Sequence, residues 1–146
     1  MTTYPNPWDF HNGIKELNST DNRIKYFGLK EIAMGSPLIG SCQWIDENEI
    51  KTFLGDNFGG PAIWNEDGTM AAIPKWTKKF LKGTVQIITI LDVKKKEVIQ
   101  YKRTFNLLQF TGFKNEKLKA INSPRNNPKK IVFDIKNEKV KSTRKL

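Results

Sequence analysis

The stretch TVQIITILDV at positions 84–93 decides the fold class, because it is too apolar for an exposed strand. Its branched aliphatic residues favour the pleated backbone of a β-strand. Apolar side chains occupy both alternating sets of positions, which predicts a central strand buried on both faces or nearly so. Residues 94–97, three lysines and a glutamate, form a turn, and residues 98–105 alternate in part. The two segments therefore predict a hairpin about the lysine turn.

Turn signals on both sides of this hairpin predict further antiparallel strands. Asn65-Glu66-Asp67-Gly68 separates two apolar segments, and its glycine allows the positive φ that tight turns require. Asn115 and Glu116 mark a second turn of this kind. The other predicted strands are residues 23–34, 38–45, 50–54, 62–64, 70–74, 107–113, 118–121 and 131–135.

Eight to ten short strands, short turns and little helix predict an all-β, single-domain antiparallel sheet protein. A sandwich, a barrel and a propeller-like meander all fit this pattern. The chain of 146 residues suits one domain. We expect an irregular amino-terminal arm over 1–21, one β domain over 22–135, and a basic, flexible tail over 136–146 that offers little to bury. One helical turn is expected at 75–82.

The charge of the chain changes sign near its middle. The formal net charge is +10; residues 1–73 hold five basic and ten acidic residues, whereas residues 74–146 hold twenty and five. This polarity indicates an electrostatic partner, although the lysine- and asparagine-rich composition of an A/T-rich genome would give the same bias. If the two parts fold onto different faces, we expect one basic face formed by Lys75, Lys78, Lys79, Lys82, Lys129 and Lys130.

Residues that commonly carry catalysis are scarce. The one histidine, His11, lies in the predicted arm, and the one cysteine, Cys42, lies in a predicted strand, where a free cysteine usually packs in the core. The acidic residues sit at turns, where their side chains bond the nearby backbone. No cluster has the ligand spacing of a zinc site, and no glycine pattern matches a phosphate loop. We therefore expect no enzyme activity, no catalytic residue, no metal and no cofactor.

Residues 75–82 interleave lysines with aromatic residues. Aromatic rings stack on bases while lysines neutralise phosphates, so this composition suits single-stranded nucleic acid. Arginine, the preferred stacking and bidentate residue, is scarce in the chain. The binding candidates in this segment are Lys75, Trp76, Lys78, Lys79 and Lys82.

A second candidate region surrounds Gly59-Gly60-Pro61. Glycine permits positive φ and proline then fixes the backbone, so the approach to Trp64 is predicted to be a shaped bend. We expect Phe58 or Trp64 to line the largest concavity, which would serve as the mouth of a small-ligand carrier.

Residues 61–105 carry a local pattern seen in known repeats. An acidic turn ending in glycine at 65–68 precedes a strand; a second apolar strand ends in Asp92, and a basic hairpin follows at 94–98. This pattern resembles a blade of the bacterial β-propeller repeats, which implies strand–turn–strand geometry only, because a closed propeller needs at least four blades. A small Lys/Asn-rich β protein without catalytic groups is also similar in type to the immunity proteins of bacterial toxin systems.

Together these observations favour a non-enzymatic domain that binds a macromolecule, with an acidic protein as partner and an immunity or inhibitor role as one form. Nucleic-acid binding through the basic second half is the alternative, and a small-ligand carrier is a further alternative. The sequence shows neither a secretory signal nor a long apolar run. We therefore expect a cytoplasmic protein that does not engage a membrane.

Overall fold

Eleven β-strands and no helix form among the residues that the computed structural model describes, which are 6–12, 21–79, 81 and 83–146. The rest of the predicted arm, Phe80 and Lys82 lie outside these residues. The all-β antiparallel prediction is confirmed. The strands are β1 (Arg23–Glu31), β2 (Leu38–Ile45), β3 (Lys51–Phe58), β4 (Ile63–Trp64), β5 (Met70–Lys79), β6 (Gly83–Asp92), β7 (Glu97–Phe105), β8 (Leu108–Lys114), β9 (Lys117–Asn122), β10 (Lys129–Asp134) and β11 (Val140–Lys145).

The strands form a large curled sheet and a small one. The large sheet has the order β1-β2-β3-β5-β6-β7-β11, with β4 paired to β5, and the small sheet has the order β10-β9-β8. Short turns join most neighbours, so the order largely follows the chain. Arg144 of β11 donates a hydrogen bond to the Leu54 carbonyl of β3 at 2.7 Å, although β5, β6 and β7 separate these strands within the sheet. The large sheet therefore curls back on itself, and β1 and β11 remain its two edges.

The curl encloses the first of two apolar clusters, here called the inner core. Strands β1 to β7 and the amino-terminal arm all contribute to it. Cys42 is fully buried there, as predicted for a small core residue. The buried members of the inner core are Phe10, Ile24, Tyr26, Cys42, Trp44, Leu54, Phe58, Ala62, Trp64, Ala71, Ile73, Leu91 and Val98.

The opposite face of β5, β6 and β7 packs against the small sheet and forms the inter-sheet core. Leu91 of β6 belongs to the inner core, whereas Ile88 and Ile90 belong to the inter-sheet core. Because alternate side chains of a strand point to opposite faces, β6 is buried on both, as predicted for residues 84–93. The inter-sheet core consists of Ile63, Ala72, Ile88, Ile90, Tyr101, Phe105, Leu108, Phe110, Phe113, Leu118, Ala120, Phe133 and Ile135.

The described part of the amino-terminal arm is irregular, as predicted, but it is docked on the sheet. Phe10 is 2% exposed and packs edge-on against the Tyr26 ring, with centroids 4.8 Å apart. The Asn12 side chain accepts a hydrogen bond from the Tyr26 amide at 2.8 Å and donates one to the Tyr26 carbonyl at 2.6 Å. This side-chain amide thus occupies the outer edge of β1 as a neighbouring strand would.

The carboxyl-terminal segment 136–146 differs from the flexible tail that the sequence predicts. Val140–Lys145 forms β11, which pairs antiparallel with β7, and Leu146 packs against the inner core. Lys145 and Glu97 make an ion pair at 3.1 Å across the two strands. All six β11 residues are exposed, so this strand is held through its backbone and leaves no apolar pattern in the sequence.

Residues 75–79 also differ from the helical turn expected within 75–82. They continue β5, in register with β6 from Lys75 opposite Ile87 to Lys79 opposite Gly83. The unbroken ladder pairs the backbone groups of this segment that face β6, and this pairing holds it as a strand.

Candidate functional site

Phe58 and Trp64 are core residues, so the prediction that they border a concavity is wrong. Both side chains have 0% exposure. The predicted ligand mouth is filled: the Tyr26 hydroxyl donates to the Gly59 carbonyl at 2.8 Å, and a Cβ on Gly60 would stand 2.6 Å from that hydroxyl oxygen. Neither Gly59 nor Gly60 has a positive φ. Glycine is needed at position 60 for close packing, and not for the conformational freedom that the sequence suggested.

Trp76, proposed from the sequence as a stacking residue, is half-buried on β5. Its indole Nε1 is buried without a hydrogen-bond partner among the described residues. That atom lies 3.1 Å from the position that a Cβ on Gly59 would take. The indole nitrogen is therefore directed into the packing against the segment that joins β3 to β4.

The lysines of the predicted basic face do not share one face. Lys75 and Lys78 lie three positions apart on a regular strand, so their side chains point to opposite sides of β5. Lys78 and Lys79 are exposed near the end of β5, and Lys82 lies outside the described residues. Lys129 and Lys130 belong to the small sheet. The predicted face is wrong as a unit because strand alternation and sheet membership divide its residues.

Another set of lysines does gather on one surface, the outer face of the small sheet. Leu118 and Ala120 of β9 face the inter-sheet core, so Lys117 and Lys119 between and beside them face outward. The same alternation turns Lys114 of β8 and Lys130 and Val132 of β10 outward. In register, Lys114 lies opposite Lys117, and Lys119 lies opposite Val132. We call Lys114, Lys117, Lys119 and Lys130 the lysine face.

The charge of the lysine face is not neutralised within the described residues. None of its four lysines makes an ion pair with a carboxylate there. Asp134, which lies opposite Lys117, accepts hydrogen bonds from the Lys136 amide at 3.0 Å and from the Asn137 side chain at 2.8 Å. Asp134 keeps its charge in these bonds but makes no ion pair with Lys117, so the lysine ammonium groups remain available to a partner.

A second basic site lies where β3, β5 and β11 meet, and it includes the predicted residue Lys75. Its Nζ atom donates to the Asp56 backbone carbonyl at 3.0 Å and lies 4.5 Å from the Phe58 ring centroid. Arg144 binds the Leu54 carbonyl two residues earlier on the same strand. Lys75 and Arg144 are here called the cationic pair. Sequence analysis missed Arg144, because its contact with Leu54 spans 90 residues.

The environment of Lys75 disfavours its charge. Burial lowers the pKa of Lys75 below its usual value, Arg144 and Lys141 act in the same direction, and the Asp56 carboxylate opposes the shift. In the described part of the chain, neither member of the cationic pair forms an ion pair with a carboxylate. Asp56 instead accepts a hydrogen bond from the Ser41 hydroxyl at 2.5 Å.

An exposed aromatic pair marks a third surface, on the outer side of β1, β2 and β3. Phe27 is 43% and Phe53 is 52% exposed, and their ring centroids lie 6.1 Å apart. The inter-sheet core takes residues of the large sheet from β4 to β7 and none from β1, β2 or β3, so the small sheet leaves this side open. The aromatic pair and the lysine face therefore belong to different parts of the fold.

Across 6–12, 21–79, 81 and 83–146 there is no group of three metal-ligating side chains and no helix able to cross a membrane. The likeness to propeller blades and to immunity proteins stays a prediction. No protein-family model, curated protein or solved structure matches this chain.

Proposed function

We propose that this protein is a non-enzymatic binding domain that recognises an acidic surface of a protein partner through the lysine face. The observation that carries the proposal is that four lysines without an ion-pair partner among the described residues project from the same face of one small sheet, with Lys114 directly opposite Lys117. Like charges on neighbouring strands repel, so a face of this kind is stabilised by an anionic partner. Its field would also steer such a partner and raise the association rate.

The composition of the lysine face favours protein over nucleic acid as the partner. Val132 lies beside Lys119 on the edge strand β10 and is 59% exposed, so the face offers an apolar contact next to its charges. Its outward positions carry no aromatic side chain on which bases could stack and no arginine. Nucleic-acid binding is therefore the alternative outcome of the test and not the proposal.

An inhibitor of the immunity type, acting in the cytoplasm, is one protein of this class. Such proteins bind a target surface without chemistry of their own, which agrees with the scarcity of catalytic residue types in the sequence. The single cysteine and single histidine of the chain support the non-enzymatic part of the proposal.

The test compares two variants of equal net charge. The first replaces the four residues of the lysine face with glutamine. The control also introduces four glutamines, but at exposed lysines outside the lysine face, Lys94, Lys95, Lys96 and Lys102. Binding of polyglutamate and of a single-stranded oligothymidylate is measured against salt concentration.

We expect the lysine-face variant to bind polyglutamate about tenfold more weakly and the control to change about twofold or less, because each surface ion pair contributes about 0.2–1 kcal/mol. Equal losses in both variants would contradict a specific face. Tighter binding of oligothymidylate than of polyglutamate, with the same dependence on the lysine face, would favour the nucleic-acid alternative.

A further inference from the structure

The two anchoring hydrogen bonds use only part of the N–H donors of the cationic pair. A lysine ammonium has three N–H donors and an arginine guanidinium has five. One donor of Lys75 is used on the Asp56 carbonyl and one of Arg144 on the Leu54 carbonyl. Both acceptors are neutral, so these bonds orient the two cations without cancelling their charge.

The two cations lie within electrostatic range of each other. Their anchoring carbonyls belong to residues two apart on β3, whose Cα atoms lie at most about 7 Å apart. Lys75 is half-buried and Arg144 is exposed, so an ion from solvent can reach both. Lys141 of β11 adds a third positive charge within electrostatic range of Lys75.

We propose that Lys75 and Arg144 bind a phosphate-type dianion, as inorganic phosphate or as the phosphomonoester of a larger ligand. A phosphomonoester carries about −1.5 to −2 charges at neutral pH, which matches two cations better than the single charge of a carboxylate does. The planar guanidinium fork fits two phosphate oxygens, and the ammonium acts as a point charge for a third.

Asp56 is the carboxylate within electrostatic range of Lys75 that opposes this assignment among the described residues. Its carboxylate lies within electrostatic range of Lys75 but is hydrogen-bonded to the Ser41 hydroxyl and makes no ion pair with the lysine. A bound dianion would lie near this carboxylate and be repelled by it. Asp56 is therefore expected to weaken phosphate binding. Removing its charge should strengthen that binding, whereas removing either cation should weaken it.

The test is a titration of the 146-residue chain in which nuclear magnetic resonance monitors the amide of Gly55, the residue between Leu54 and Asp56. Inorganic phosphate, methyl phosphate and acetate are the probes. Two charge-assisted hydrogen bonds give an expected dissociation constant of about 1 mM for phosphate. Methyl phosphate binding as tightly as phosphate identifies a phosphomonoester ligand, and weaker binding of methyl phosphate identifies the free ion. Acetate binding as tightly as either would overturn the proposal.

The variants separate this site from the lysine face. Lys75→Met and Arg144→Met are each expected to weaken phosphate binding at least about tenfold, and Asp56→Asn to strengthen it about threefold. Arg144→Lys keeps the charge but not the planar guanidinium fork, so its phosphate affinity should lie between those of wild type and Arg144→Met.

The four-glutamine variant of the lysine face should bind phosphate as wild type does. A loss of phosphate binding in that variant, or no loss in the cationic-pair variants, would disprove the assignment. The dispersed spectrum of each variant verifies its fold.

Discussion

The two cores share β5, β6 and β7 but are closed in different ways. Large aromatic side chains close the inter-sheet core, with Phe110 and Phe133 at 1% and 0% exposure. The inner core is closed on one side by the docked arm and by the close approach of backbone at Gly60, where Tyr26 and Phe10 leave no room for a side chain. Both cores are filled by large side chains, with Trp64 and Phe58 in the inner one, but only the inner core also depends on keeping position 60 free of a side chain.

Removing volume from the inter-sheet core should have the largest effect. Ile88 is fully buried on β6, so Ile88→Ala is expected to lower the free energy of unfolding by about 2–5 kcal/mol. Val132→Ala, at an exposed position of the small sheet, is the control and should change it by about 0.5 kcal/mol or less. Urea denaturation measures both values. A loss below about 1 kcal/mol for Ile88→Ala would contradict the burial of β6 on both faces.

Alkaline pH should weaken the inter-sheet core through Tyr101. Its hydroxyl donates to the Ile135 carbonyl at 2.8 Å; burial raises its pKa from 10.0 to about 12, and the carboxylates of Glu138 and Asp134 add to the shift. The unfolded chain loses this proton first, so the contribution of Tyr101 is complete below pH 10 and is lost as the pH rises to about 12.

The expected loss from this titration is about 2–3 kcal/mol. Tyr101→Phe cannot titrate, so the difference in unfolding free energy between wild type and this variant should shrink across the same interval. A difference that stays constant with pH would show that the tyrosine ionises equally in both states. The absorbance of tyrosinate in the folded protein provides an independent reading of the pKa of Tyr101.

Adding volume to the inner core should lower the free energy of unfolding less than the loss of volume at Ile88 or the ionisation of Tyr101 does. A Cβ at position 60 would meet the Tyr26 hydroxyl at 2.6 Å and the Phe10 ring at 2.8 Å, so Gly60→Ala is expected to destabilise the fold by about 1–3 kcal/mol. Gly112→Ala is the matched control, since the nearest atom there lies at 3.9 Å. Thermal unfolding of the two variants gives the comparison, and equal stability would remove the argument for close packing at Gly60.

Features set by neighbouring residues were predictable from the sequence. At the turn after β4, the Asn65 side chain accepts the Thr69 amide at 2.9 Å and Gly68 has φ 72°, so the hairpin follows from local chemistry. The turn after β6 is similar, because Asp92 accepts the amides of Lys94 and Lys95. The apolar run of β6 identified the central strand by composition alone.

Features set by distant residues were not predictable. β11 pairs through its backbone with β7, and its exposed polar side chains give no periodic signal. Arg144 of this strand reaches the site of Lys75 only because the large sheet curls, and curvature leaves no short motif in a sequence. The lysine face had a weak signal in the alternation of Lys117 and Lys119 with Leu118 and Ala120, which becomes a surface only once β8 and β10 are aligned beside β9.

The two free edges of the curled sheet also bear on self-association. An unpaired edge strand is a template on which further chains can add and aggregate. At β1 the Asn12 side chain already occupies the outward amide and carbonyl of Tyr26. At β11 a second chain would have to bring its own edge beside Lys141, Arg144 and Lys145, which would crowd like charges together. The arm and the basic carboxyl-terminal strand thus protect an unclosed sheet from edge-to-edge growth.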